Sequence, residues 1–331
     1  MMFQLDLKKA TELFNALPVQ KQNPYLHPEY VALDAKYQGS KEIYFGGRIE
    51  SDIFLFSGLL TFTDQYQTTD IESPRGYGGL LTTEREGSQH FVNAYLEYRN
   101  WLSSMGVLVE FCRFHPLLQN HLGYDGKTFF NRTTCAISLD QYQLKSQGSR
   151  SIRYIKKAIK AEAQIEIHER PSLAKLNAFS DLYRERMDEL SGMEQYRFDD
   201  HYFEGLFELS IKTVLAEVFV DNELVAASIF IGAGSTLEYH LSCSNDRGRG
   251  AGATNFLLHQ VALHYQNEYS VIHLGGGLSD DPNDPLFQFK ASVGKHLSDF
   301  YIGGHILDRV GYERLKSDLN TETNRIIFYR D

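Results

Sequence analysis

Arg247-Gly-Arg-Gly-Ala-Gly-Ala253 is the stretch on which the reading of this chain turns. It lies between Leu237-Glu-Tyr-His-Leu241, which reads as a strand, and Thr254-Asn-Phe-Leu-Leu-His-Gln-Val-Ala-Leu-His264, which reads as a helix. A glycine-rich turn feeding a helix presents backbone N–H groups where the helix dipole is positive, a setting for phosphate or pyrophosphate. A P-loop is excluded, because no Lys-Ser or Lys-Thr follows the glycines. The dinucleotide pattern fits in part, as Gly248-x-Gly250-x-x-Ala253. However, the acid that should hold the ribose, Glu268, precedes the next strand instead of ending it. The third pattern is Arg247-x-x-Gly250-x-Gly252 between a strand and a helix. A plain flexible turn with no ligand stands beside it.

Bulk properties frame the motif. With 331 residues, 42% apolar and 23% charged, the chain is long enough for two domains with real cores. A net charge of -10 argues against broad DNA or RNA binding. Cys112, Cys135 and Cys243 are odd in number and far apart, so neither a zinc cluster nor a disulfide framework is expected. No signal-peptide layout and no membrane-length apolar run is seen, and a cytoplasmic protein without a membrane span is expected.

The order of elements repeats weakly. In the first half, strands at Glu42–Phe45 and Ile53–Phe56 precede the loop Ser73-Pro-Arg-Gly-Tyr-Gly-Gly79. A helical stretch and the strand Val107–Arg113 follow. In the second half, a hairpin turning at Asp221-Asn222-Glu223 and the strand at 237–241 precede the glycine stretch. A helix and the strand Ser270–Leu274 follow. Two similar α/β domains are expected, 1–148 and 149–331. The second would begin with a connecting basic helix over 149–164. There Arg150, Arg153, Lys157 and Lys160 share a face, either a solvated one or the basic lining of an interdomain cleft.

The Arg247-x-x-Gly250-x-Gly252 pattern resembles the acyl-CoA pyrophosphate loop of the GNAT-type N-acetyltransferases. A longer resemblance joins it. Pro74-Arg-Gly-Tyr-Gly-Gly79, Glu110-Phe-Cys-Arg-Phe-His-Pro116, Ser151-Ile-Arg-Tyr-Ile-Lys-Lys-Ala158, Leu182-Tyr-Arg-Glu-Arg-Met187, His273-Leu-Gly-Gly-Gly277 and Phe289-Lys290 resemble the Fem-type peptidyltransferases and related tandem acyltransferases. The resemblance implies an α/β (α+β) fold of two acetyltransferase-like (GNAT) domains in tandem. Mixed sheets flanked by helices would enclose an interdomain cleft. It implies transfer of an acyl or aminoacyl group to an amine. The intact glycine pattern and the acidity of the chain point to an acyl-CoA donor, with aminoacyl-tRNA as the rival, and no metal. A binding protein that kept the fold without turnover is a further alternative.

Under this reading Arg247, Gly248, Arg249, Gly250, Ala251, Gly252 and Ala253 hold the coenzyme. Amide formation needs a base for the amine and an acid for the leaving thiolate. Strand alternation places Glu238, His240 and Ser242 on one face and Tyr239, Leu241 and Cys243 on the other. Glu238 or His240 is a candidate base, with His273 as a rival, and Tyr239 is a candidate acid. Gly275, Gly276 and Gly277 follow a strand and allow close ligand approach. Asp284-Pro285 reads as a helix cap, not as a metal site. The resemblance places Lys290 near the phosphates of the acceptor, an envelope precursor. It makes Arg75, Tyr77, Arg113 and His115 acceptor contacts in the first domain, which lacks the coenzyme pattern.

Overall fold

The computed structural model describes residues 2–190 and 196–330. Its first half runs β1 (Met2–Leu5), α1 (Leu7–Asn15), α2 (Pro28–Gln38), β2 (Lys41–Ile49), β3 (Asp52–Thr63), β4 (Thr68–Glu72), β5 (Leu81–Thr82), α3 (Gln89–Ser104), β6 (Val107–Arg113) and β7 (Lys127–Ser138). Then come α4 (Ser149–Lys160), β8 (Gln164–His168), α5 (Leu173–Glu189), α6 (Asp200–Glu208), β9 (Lys212–Val220), β10 (Glu223–Ala233) and β11 (Thr236–Ser244). The chain ends with α7 (Asp246–Ala251), α8 (Ala253–Tyr265), β12 (Val271–Gly276), α9 (Pro285–Val293), β13 (His296–Ile306) and α10 (Arg309–Asp318).

The chain divides into two compact units, one of residues 1–131 with 299–331 and one of residues 132–298. The expected boundary at 148/149 is thereby corrected twice. The C-terminal segment belongs to the first unit, and α4 lies inside the second instead of connecting the two. The expected helix over 149–164 stops at Lys160.

Each unit carries the same strand pattern. In the first, the order is β1-β2-β3-β4-β6-β13, with β5 beside β3. Only β4 and β6 pair in parallel. In the second, the order is β7-β12-β11-β10-β9-β8, and only β11 and β12 are parallel. A parallel pair needs a crossover, here a helical one in both units. The last strand of each sheet comes from elsewhere in sequence: β13 pairs with β6, and β7 pairs with β12.

Local chemistry explains the elements. Asp221 and Asn222 both adopt positive φ, 50° and 64°, the geometry that lets a two-residue turn follow strand twist. Strand β10 is buried on both faces from Val225 to Ala233, with Ser228 the polar side chain in the run, because helices cover the sheet. The core of the second unit joins Val214, Ala216, Val218 and Phe230 from the sheet to Ile155 and Ala158 of α4 and Phe256, Leu257 and Val261 of α8. That of the first unit packs Phe45, Phe54 and Phe56 against Phe91, Tyr95 and Tyr98 of α3. Fully burying one such aromatic side chain contributes roughly 1.5–3 kcal/mol. The three cysteines are free and buried. No helix of the described residues is long and apolar enough to cross a membrane.

Candidate functional site

In the second unit, β11 and β12 are in register only at Thr236/Val271, Leu237/Ile272 and Glu238/His273. Beyond these pairs β11 continues to Ser244 and β12 to Gly276 without pairing to each other. Two parallel strands that part in mid-course leave facing N–H and C=O groups that must find other partners. The first unit has no such opening. There β4 stays bonded to β6 through Glu72/Phe111, and Ser73 N donates to Phe111 O at 3.1 Å and Gly78 N to Arg113 O at 2.6 Å.

The wedge begins at a buried pair. His273 Nδ1 lies 2.8 Å from Glu238 Oε2, with the two side chains 1% and 2% exposed. One step further β11 carries a bulge. Phe230 faces Tyr239 and Ile229 faces Leu241, so His240 is an extra residue. The expected alternation is corrected here. Ser242 falls on the Tyr239 side, where burial pushes the Tyr239 phenol up to about 12 and the Ser242 and Ser228 hydroxyls oppose the shift. His240 Nε2 meets the Tyr202 hydroxyl of α6 at 3.0 Å.

Across the opening, Gly275 and Gly276 end β12, Gly277 follows it, and Lys290 of α9 donates from Nζ to Gly276 O at 2.8 Å. Arg132 Nη1 donates to Gly277 O at 2.5 Å. Burial pushes the Lys290 ammonium down to about 8, Cys135 opposes the shift and Arg132 adds to it. Asp284 caps α9 through the Phe287 amide at 2.9 Å and also accepts from Leu278 N at 3.0 Å, which fastens the glycine segment to the helix. Its carboxyl is held low by these backbone amides, Phe287 first. The sequence reading of Asp284 as a cap is thus met, while the part played by Arg132 carried no signal in a strand of mixed polarity.

The glycine stretch differs from the expected open nest. Asp246–Ala251 is helical, capped by Asn245, whose side chain accepts from Gly248 N at 2.8 Å. Arg249 N donates to Asn245 O at 3.0 Å, and Gly252 N to Gly248 O at 3.0 Å. Arg247 pairs with Asp221 and, at 2.5 Å, with Glu223. Arg249 pairs with Asp246 and, at 3.2 Å, with Glu189. Ala251 ends α7 and Ala253 is buried at the start of α8. Packing accounts for two of the glycines. A Cβ on Gly248 would sit 2.1 Å from Val225 O, and Gly252 has φ +81° with Tyr154 O 2.6 Å from its would-be Cβ. Only Gly250 is open. Gly252→Ala is therefore expected to destabilise the protein by about 2 kcal/mol or more, from left-handed strain plus a backbone clash. Gly250→Ala, at an open helical position, is expected to stabilise by roughly 0.5–1 kcal/mol. Urea unfolding curves check both, and equal midpoints for the two variants would contradict the assignment.

In the first unit, Arg75 and Tyr77 lie on the loop after β4, while Arg113 ends β6 and His115 follows it. Arg75 Nη1 lies 3.1 Å from the buried Asp34, whose carboxyl burial pushes up and Arg75 pulls down. The Arg75 guanidinium also sits 5.2 Å from the Tyr37 ring. Arg113 donates to the carbonyls of Ser73 and Pro74 and lies 3.3 Å from Glu72. His115 Nε2 meets Asn23 Nδ2 at 2.9 Å, and its ring lies edge-on to Tyr77 at 4.8 Å. Arg113 and His115 thus hold the loop and its neighbours in place. Asn23 and Asp34 were not foreseen, since each sits in a helix-entry or helical stretch without a motif.

No family model matches the chain, and no curated protein matches it significantly. Solved structures do. FemX is 14% identical, with a TM-score of 0.75 over 96% of this chain and 100% of that one. The C-terminal domain of a putative lysylphosphatidylglycerol synthetase from Agrobacterium fabrum is 13% identical, with a TM-score of 0.58 over 95% and 96%. A tandem GNAT protein from the clavulanic acid biosynthesis pathway is 9% identical, with a TM-score of 0.52 over 93% and 98%. These likenesses show the fold: a mixed α/β, tandem acetyltransferase-like architecture of the Fem kind.

Proposed function

We propose that the protein is an N-acyltransferase that forms an amide on the amine of a phosphate-bearing cell-envelope precursor. The observation that carries this is the wedge between β11 and β12, open in the second unit and closed at the matching place in the first. An extended acyl-thioester arm lying in the wedge would bond to the free strand edges, and its carbonyl would reach the bulge at His240. The acceptor amine attacks that carbonyl, the C–N bond forms and the C–S bond breaks. The amine proton passes to a base, and the thiolate leaves and takes up a proton.

Lys290 is the proposed base. At neutral pH an amine with a pKa near 8 is neutral in an appreciable fraction of molecules, and it sits at the β12 tip. Glu238 holds His273 in one orientation at the base of the wedge. The proposed donor is a coenzyme A thioester. Arg247, whose exposed ion pairs are individually weak, is free to exchange carboxylates for pyrophosphate. One observation favours an aminoacyl ester of tRNA instead: the amides of Gly248, Arg249 and Gly252 are already bonded within α7 and its neighbours.

Calorimetry with acetyl-CoA and longer acyl-CoAs separates the donors. For a thioester enzyme, binding is expected and should weaken at least about tenfold in Arg247→Glu, a loss of about 1.4 kcal/mol. Absence of binding heat with every acyl-CoA, together with product formation from charged tRNA, would reject the coenzyme.

A further inference from the structure

Helix α4 carries a charge pattern that this reaction does not use. Arg150, Arg153, Lys156, Lys157 and Lys160 are all exposed. At helical spacing they fall in an arc of about 120° running about 15 Å along the axis. The helix contains no Asp or Glu, and among the described residues none of the five takes part in an ion pair. Other helical arginines of this chain do pair: Arg184 with Asp181, Arg186 with Glu189, Arg314 with Asp318. In a chain with 43 acids against 33 cations, five cations without acids in one stripe run against the composition.

Packing fixes which way the stripe faces. Ser151, Ile155 and Ala158 are buried, and Asn255 of α8 donates to Ser151 Oγ at 2.9 Å. The cations lie on the opposite side. Along the margin of the stripe, Ile152 is half-buried and Ile159 is 54% exposed.

We propose that this face of α4 docks the protein on an anionic phospholipid surface. The ammonium and guanidinium groups would meet headgroup phosphates, while Ile159 would enter the acyl boundary. Cations bordered by an exposed apolar side chain are the layout of helices that lie in a membrane interface. A nucleic acid backbone offers the same phosphate charge, but it gives the exposed Ile159 no apolar partner. This docking is independent of the reaction proposed above.

Co-sedimentation of the full chain with vesicles of phosphatidylcholine, with and without phosphatidylglycerol, tests it. Binding is expected only with phosphatidylglycerol and is expected to fall steeply with added salt. Each cation near such a surface contributes roughly a fivefold gain in partition. The variant Lys156→Gln/Lys157→Gln/Lys160→Gln is therefore expected to lose about a hundredfold, with an unchanged thermal melt because all three side chains are exposed. Ile159→Asp should lose several-fold more than Ile159→Ala. Equal sedimentation with both vesicle types, or binding unaltered by the triple substitution, overturns the proposal. So does retention on duplex RNA that vesicles fail to compete.

Discussion

Lys290→Ala is expected to lower kcat by about 10²–10⁴-fold, the usual worth of a positioned proton acceptor. The wild-type rate should rise with pH through an inflection near 8, where Lys290 loses its proton, and the variant should lose that inflection. Lys290→Arg keeps a cation beside Gly276 but never deprotonates, so it should not rescue the rate. A stability measurement distinguishes chemistry from architecture. Burial sets the Lys290 value below the ordinary 10.5. Between about 8 and 10.5 the unfolded chain binds the extra proton, so this group makes stability rise with pH across that window. Below the window a charged amine is held in a poorly solvated place and costs stability. Lys290→Met should therefore melt at the same temperature or higher at pH 7 while turnover is lost. Wild-type turnover in Lys290→Met would remove Lys290 from the mechanism.

Glu238→Ala should be among the most destabilising single changes in the second unit. Its carboxylate and the His273 ring are both almost wholly buried, at 2.8 Å. Leaving such a buried ring N–H without its acceptor costs about 1–3 kcal/mol. Glu238→Gln keeps an acceptor for the ring and should cost only about 1 kcal/mol. In a double-mutant cycle, Glu238→Ala/His273→Ala should cost less than the sum of the single changes, with a coupling of about 0.5–3 kcal/mol. Urea unfolding followed by a probe in residues 132–298 reports this. Strict additivity would mean that the two side chains act separately. Activity gives the second readout, since Glu238→Gln should retain more turnover than Glu238→Ala if Glu238 serves to orient the ring.

Much of the architecture was legible. Val107–Arg113 is a strand with the bounds read from its apolar run, and the hairpin does turn at Asp221-Asn222. Asp284-Pro285 does open α9, because a cap and a fixed φ act within one turn of the helix. Local rules also placed the basic stripe, whose spacing is a property of the helix alone. The site was less legible. Glu238, His273 and Lys290 are legible as candidates, yet the shift at Lys290 comes first from burial and then from the opposing effects of Cys135 and Arg132, about 155 residues away in sequence. The bulge at His240 followed from no residue type, so strict alternation put Ser242 on the wrong face.

The glycine stretch with which the reading began shows where the line falls. The sequence alone determined that a helix follows the glycine stretch after β11, that two similar α/β units exist, and that a cationic face lines α4. These rest on periodicity, caps and glycine permissiveness, which act over a few residues. Only the tertiary structure decided that Gly248 and Gly252 serve close packing against Val225 and Tyr154, and that β11 and β12 part while β4 and β6 do not. It alone decided that β7 joins β12 while β13 returns to β6, moving the boundary from 148 to 131 and giving residues 299–331 to the first unit. The physical reason is that a strand's pattern of apolar residues specifies which face is buried, but not which of several edges it will pair with. That choice is made by contacts between residues far apart in the chain.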